Sequence, residues 1–476
     1  MKIEEFVKLG RAVGEVRYVG PVEGYEGEWI GVDWLSGGRG KHDGTVKGVR
    51  YFKTRLPTSG SLVRAQNVET GTDLLSETLA KYVIGDESDK PTYKIGVKSV
   101  ETFCDSAASK QKHIELLYAV VLDYGRVCRA PNTSTVVFKN CRELNLYGNM
   151  LSKWSNLLNI LVLFPALRLL NLGMNFFIHD KGFGLDRRVV TAPIDHLVLN
   201  KCHLTESMIE VFLRAFPTVS ELHLQETGLN GFTIDVSALE NIATLSLEGN
   251  RLVSFENMSS LSRMPKLTKL NLAECKMSTI QFGESAGFPR LHTLCLSSNP
   301  ILNWCSISEM SKLPSLDTLN IDHLPNNDSR EILIAKLPNL KNLNHSAIGA
   351  VERRNAEIVY LNAFGRAPIA DEHREDITRL KAIYGDPDEK VADPREMKLL
   401  NLKLSYKGKC LERSFPQNIS IQKLIGVSSR LLRFVPSRVT MEAVDPDGCR
   451  TEVNSQLDRD LNFYGIDDGF TCIFSC

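Results

Sequence analysis

A glycine-rich loop with lysine, GRGKHDGTVKGVRYF from Gly38 to Phe52, is a natural place to look for chemistry in this chain. Glycine followed by lysine often cradles phosphate through backbone N–H groups and an ammonium. The phosphate-binding pattern needs GxxxxGK and then Ser or Thr. Here Gly40-Lys41 is followed by His42, and Leu35 stands five positions before Gly40. The flanks VGEVRYVG and TVKGVRYF read as strands separated by turns, with no helix N-terminus to receive a phosphate. A nucleotide site is therefore not expected. Cys202, Cys275 and His223 invite a metal reading. The cysteines form no CxxC pair, and no Ser-His-Asp, Cys-His or paired-carboxylate set stands out. No catalytic residue, metal or cofactor is expected.

The elements that must position these residues are dominated by a repeat. Leu144-Asn-Leu146 with Asn149 and Leu151 recurs as Leu170-Asn-Leu172 with Asn175 and Phe177, and as Leu197-Val-Leu199 with Cys202 and Leu204. Further copies begin at Leu222, Leu245, Leu270 and Leu294, with weaker ones at Val120, Leu319 and Leu343. The seven clear copies start 23 to 27 residues apart, the period of a leucine-rich repeat. Each LxL is a short strand whose leucines point inward, and the Asn, Cys or Thr that follows bonds turn backbone. One repeat cannot bury its own apolar face, so neighbours stack into an α/β solenoid, expected over 113–345. Cys202 and Cys275 then occupy the ladder position, which removes the metal reading. The residue between the leucines faces the concave side: Asn145, Asn171, His223, Ser246, Asn271 and Asn320 among them. That surface is a candidate grip for another protein, and the alternative is that each is a solvated strand residue.

Composition agrees with a soluble multidomain chain. It has 476 residues, 43% hydrophobic and 24% charged, with a formal net charge of zero. Nothing global points to nucleic acid. The apolar run from Leu157 to Leu170 is broken by Asn159, Pro165 and Arg168, so no membrane span is expected. MKIEEFVKLGRAVG lacks a signal-peptide pattern, and eleven scattered cysteines suit reduced thiols in the cytosol. The segment 71–112 reads as a linker with a helix. A helix from Val351 to Phe364, within a cap at 346–366, covers the last repeat with Ile358, Leu361 and Phe364 on its apolar side. Acids and prolines in 367–396 read as a short helix, Glu372 to Tyr384, and a solvated linker.

From Met397 the texture is strand, Lys407-Gly408 turn, strand, helix at Ile421, Leu424, Ile425 and Leu432, strand, and a final strand after GIDDG. Over 397–476 this resembles the ubiquitin-like β-grasp domain. The chain ends Phe474-Ser475-Cys476, without the Gly-Gly that conjugation requires, so the resemblance implies a fixed interaction module.

The N-terminal block reads Gly14-Glu-Val-Arg-Tyr-Val-Gly20, Gly27-Glu-Trp-Ile-Gly-Val-Asp-Trp34, Gly40-Lys-His-Asp-Gly44 and Gly48-Val-Arg-Tyr-Phe52. Over 8–70 it resembles the CAP-Gly family, a small all-β barrel. The family motif is usually GKNDG, and His42 stands here where Asn is typical. The resemblance implies a groove for acidic protein C-termini ending Glu-Glu-Tyr or Glu-Glu-Phe, such as the tail of α-tubulin. It places Trp29, Gly40, Lys41, His42, Asp43, Gly44 and Phe52 at that groove. For Trp29 and Phe52 the alternative is plain core packing. The charge pattern suits an acidic ligand: Arg39 to Arg64 holds seven Lys or Arg and a single acid, Asp43.

Together the three modules, in this order, resemble the tubulin-folding cofactor E family. That resemblance implies a chaperone that captures α-tubulin and, with cofactors D, C and B, assembles or dissociates the αβ-tubulin heterodimer. It also implies a cytoplasmic, cytoskeletal location. Two other readings are a microtubule-riding CAP-Gly adaptor, and a ubiquitin-pathway adaptor whose last domain meets a proteasomal or ubiquitin receptor.

Overall fold

The second half of YEGEWIGVDW, buried on both faces, builds the N-terminal sheet. Ile30, Val32 and Trp34 point to one side of the strand Tyr25–Trp34 (β3) and meet Val16 of Ala12–Val22 (β2) and Val7 of Phe6–Leu9 (β1). Gly60–Val63 (β4) and Glu69–Thr70 (β5) complete five strands in the order β4-β3-β2-β1-β5. Gly14 is obligatory on β2. A Cβ there would lie 2.4 Å from Val32 Cγ1 and 2.7 Å from Trp34 Cε3, so glycine is what lets the indole lie flat in the core. The computed structural model of the protein describes residues 1–35, 39–84, 94–95, 98–99, 113–132, 136–177, 182–184, 187–258, 260–282, 287–301, 303–322, 329–387, 399–436, 439–446, 448–453, 457, 459–461 and 463–475. They divide into two units, Met1–Gly385 and Asp386–Cys476.

In the first unit the repeats form an eleven-stranded sheet, parallel until its last pairing. Leu144, Leu170, Leu197, Leu222, Leu245, Leu270, Leu294 and Leu319 sit in register across it, all buried. The other side carries short helices, such as Glu206–Ala215, capped by the Thr205 hydroxyl on the Met208 N–H. The ladder residues hold the turns. Asn250 Oδ1 accepts from Gly228 and Leu229 N–H, both at 3.0 Å, and its Nδ2 donates to Leu224 O (2.8 Å) and Leu247 O (2.7 Å). Asn149, Asn175 and Asn299 repeat the arrangement.

Both ends of the array differ from the sequence expectation. Part of the segment read as a linker is packed: Thr72–Asp73 pairs in parallel with Val127–Arg129, and Leu74 of the helix Leu74–Leu79 is fully buried. The rest of 71–112 lies mostly outside the described residues. At the other end the cap helix Ala350–Phe364 buries Ala356, Glu357, Tyr360 and Leu361, so Ile358 is not on its main inward face. The helix expected at Glu372 to Tyr384 is present as Asp371–Tyr384, and it is packed rather than part of a linker: it buries His373, Asp376, Ile377 and Leu380. Its acids hid the reason. Lys336 is wholly buried and donates to Asp376 Oδ2 (2.9 Å), Glu372 O (2.6 Å) and Ser308 Oγ (2.9 Å). A buried ammonium demands such partners. The acidic stretch that follows, 388–398, lies outside the described residues, as does the boundary at Met397.

In the second unit, Leu399–Tyr406 pairs antiparallel with Lys409–Pro416 and parallel with Thr471–Ser475, which in turn pairs with Thr440–Val444. The Lys407-Gly408 turn has φ of 49° and 78°, the positive pair a two-residue hairpin requires. Helix Ile421–Leu432 lays Ile421, Leu424, Ile425 and Leu432 on a core that includes Leu400, Leu402 and Leu404. This is a β-grasp fold. The chain is thus multidomain, with a small β-barrel, a leucine-rich solenoid and a β-grasp domain. Among the described residues, no helix is long and apolar enough to cross a membrane.

Candidate peptide-binding groove

The segment from Gly40 to Gly44 is a turn beside a cavity. Gly40 presses on the 58–60 turn so closely that a Cβ would lie 2.2 Å from the Ser59 carbonyl carbon. Lys41 N–H donates to Gly60 O (2.7 Å) and Gly60 N–H to His42 O (2.8 Å), a stitch that fixes the turn. His42 Nδ1 then accepts the Gly44 N–H at 3.1 Å. This bond, from a side chain to the N–H two residues on, is the one an Asn oxygen makes in an Asx turn. Histidine substitutes for asparagine because its ring nitrogen reaches the same donor. The bond needs Nδ1 unprotonated, and burial pushes the imidazole below the ordinary histidine range, with Asp43 opposing.

Asp43 is committed to the turn. Its carboxylate accepts from Thr45 N–H (3.0 Å) and Arg50 Nη2 (2.6 Å), and hydrogen bonds from Thr45 and Arg50 hold it below the usual carboxylate range. Gly44, at φ +94°, lies against Phe52, where a Cβ would come 2.0 Å from the Phe52 carbonyl oxygen. Phe52 itself is buried, with its ring against Gly31 and the His42 ring edge-to-face with it at a centroid distance of 5.9 Å. It supports the turn from below and does not line the cavity, so for this residue the core reading replaces the groove reading.

The cavity, of about 490 Å³, is walled by Tyr25, Trp29, Trp34, Arg39, Lys41 and His42 among others. Arg64 stacks on the Trp29 ring at 4.0 Å, and Tyr25 meets it edge-on at 5.7 Å. Arg39 lies 5.0 Å over Trp34. Lys41 is exposed. Among the described residues, the indole N–H groups of Trp29 and Trp34 are buried with no acceptor. Such donors cost about 1–3 kcal/mol each unless a ligand or water accepts. A slot walled by Tyr25, Trp29 and Trp34, with the cations Arg39 and Lys41 in its lining, suits an aromatic, carboxylate-bearing chain end. Tyr25 and Trp34 were missed as wall residues, since strand alternation alone does not say which aromatics border a cavity.

The concave strand residues have partners of their own. Asn145, Asn171 and Asn271 each accept the N–H two residues on: Tyr147 (2.9 Å), Gly173 (3.0 Å) and Ala273 (3.0 Å). His223 Nε2 meets Glu221 Oε1 at 2.8 Å. Ser246 is buried and accepts from Gln225 Nε2 (3.1 Å) and Asn271 Nδ2 (3.3 Å). Asn320 Oδ1 is buried without a partner among the described residues. Gln225 and Glu248, which tie these rungs together at 3.0 Å, sit two positions past the concave residues His223 and Ser246, and period two could have found them. The ladder thiols Cys202 and Cys275 donate to Leu172 O (3.2 Å) and Leu247 O (3.3 Å), and burial pushes each up to about 12. Among the described residues, no cluster of His, Cys, Asp or Glu could hold a metal ion.

Residues 3–68 match the CAP-Gly domain family. Across its length the chain is similar to the tubulin-specific chaperone E of Rattus norvegicus, 30% identical over 97% of this chain and 96% of the relative. The tubulin-specific chaperone E of Pongo abelii is 31% identical, over 98% and 97%. The tubulin-folding cofactor E of Arabidopsis thaliana is 29% identical, over 74% and 71%.

Proposed function

The chain belongs to the tubulin-specific chaperone E family, and on that premise we propose that it captures α-tubulin. The groove at Trp29, Lys41 and His42 takes the acidic tail, while the concave face at Asn145, Asn171, His223, Ser246, Asn271 and Asn320 meets the folded body. Gly40, Asp43, Gly44 and Phe52 shape the turn rather than touch the tail. The observation that carries this reading is one cavity walled by exposed Lys41 and by two tryptophans, Trp29 and Trp34. In the reaction sequence the protein delivers α-tubulin to cofactors D, C and B for assembly of the αβ heterodimer, or runs the exchange backwards. It acts in the cytoplasm, on the cytoskeleton's subunits, as a chaperone rather than an enzyme.

The test is to mix the protein with purified tubulin dimer and measure complex formation by sedimentation and loss of polymer by turbidity. A stoichiometric complex weakened by Trp29→Ala and Lys41→Ala supports the proposal, and no complex overturns it.

A further inference from the structure

β1 and β2 have a second face, turned away from the barrel core. Phe6 and Val13 on that face are buried against Met150 and Phe176 of the repeat array, with Leu35, Cys128 and Met174 around them. The Phe6 and Phe176 rings stack at 6.5 Å and 13°. Lys8 lies beside this cluster, mostly buried, and donates to the carbonyls of Tyr124 and Gly125. Arg11 lies 5.0 Å over the Tyr124 ring. The chain then leaves the barrel and, at Thr72–Asp73, adds a strand to Val127–Arg129. Arg126 ties the junction to Glu77 at 3.0 Å and Glu69 at 3.7 Å.

The repeats are specialised for this contact. Met150 and Phe176 each follow a ladder asparagine, Asn149 and Asn175. At the same position later repeats carry His203, Gly228, Arg251 and Lys276, all exposed. Only where the barrel docks is the position apolar and buried. The contact also reaches the groove. Asp33, fully buried, accepts from Arg55 Nε (3.0 Å) and Ser59 Oγ (2.6 Å), and Ser59 borders the turn that Gly40 and His42 press on. Arg55 in turn lies within electrostatic reach of His203 on the next repeat.

We propose that the groove module is clamped to the first repeats as one rigid receptor, so that groove and concave face are presented at a fixed separation and angle. The partner it fits is a single protein carrying both an acidic C-terminal tail and a folded body. Rigid presentation raises the effective concentration of the second contact only for a ligand whose geometry matches, and gives an isolated tail nothing. The partner assignment rests on the tubulin reading above, and the clamp itself does not.

Labels at the exposed Val49 and Val253, read by pulsed dipolar spectroscopy on the full chain, test the clamp. We expect one narrow distance that broadens in Phe6→Asp/Phe176→Asp. A broad distribution in the unaltered protein overturns the clamp, whatever tubulin does. The second arm measures binding of an acidic peptide ending Glu-Glu-Tyr and of tubulin dimer. Peptide affinity should stay within about twofold in the variant while dimer affinity falls about tenfold or more. Equal dimer affinity in a variant whose distance has broadened overturns the coupling. If the double variant does not melt cooperatively, Phe176→Ser takes its place with the same expectations. If neither ligand binds the unaltered protein, the tubulin reading fails, and with it the partner assignment, while the distance measurement still decides the clamp.

Discussion

The groove and the repeat array treat polar groups in opposite ways. In the array, Asn250 makes four short bonds to turn backbone, two of them to N–H groups with no other acceptor among the described residues, and Asn145, Asn171 and Asn271 close their own turns. In the groove, two indole N–H groups are buried with no acceptor among the described residues. A satisfied polar group holds the fold, and an unsatisfied one beside a cavity marks where something else is expected to bind. Asparagine at a repeat strand is therefore weak evidence of a binding face, and tryptophan beside a lysine-bearing turn is stronger.

The sharpest way to break this contrast is Asn250→Ala. It leaves the Gly228 and Leu229 N–H groups unpaired and takes one donor each from Leu224 O and Leu247 O, so stability should fall by about 3 kcal/mol in urea unfolding, with peptide affinity unchanged. A smaller loss than that of an exposed asparagine would mean the ladder is not structural. Trp29→Ala should do the reverse. Peptide affinity measured by calorimetry should fall by about 2 kcal/mol, roughly thirtyfold, with little change in the melting transition.

His42 sharpens the contrast through pH. Its folded pKa is depressed by burial, so the neutral ring is favoured in the fold. The turn's contribution is complete above the ordinary histidine value and is lost as pH falls through the depressed one. Peptide affinity should therefore drop over that acidic window in the native protein and stay flat in His42→Asn, whose amide does not titrate. Rising affinity at low pH would show that the new positive charge outweighs the broken Gly44 bond. The smallest expected effect is Asn145→Ala, which removes one half-buried turn bond and should cost about 1 kcal/mol or less in a denaturation curve.

The repeat was legible because each copy states the same burial pattern, with Leu144 through Leu319 spaced alike and all buried. The barrel was legible from glycines whose reasons are now physical, such as Gly14 beneath Trp34 and Gly40 against Ser59. Side-chain direction at Phe52 was not legible, because a ring beside a groove motif can point either way. Helix Asp371–Tyr384 was legible as a helix, but its packing onto the array was not, because its two apolar core residues, Ile377 and Leu380, sit among charges, and the buried lysine that uses Asp376 lies 40 residues away. Met150 and Phe176 were visible as apolar residues, but the partner that buries them comes from the far N-terminus.

That junction also sets an order in time. The barrel strands close with Glu69–Thr70, whereas the surface that receives Phe6 is incomplete until Phe176 has been made. At about 5–20 residues per second of synthesis, the barrel waits on the order of ten seconds for its dock. During that interval Phe6 and Val13 are open to water on a nascent chain, and a groove-bearing module exists with nothing yet to aim it.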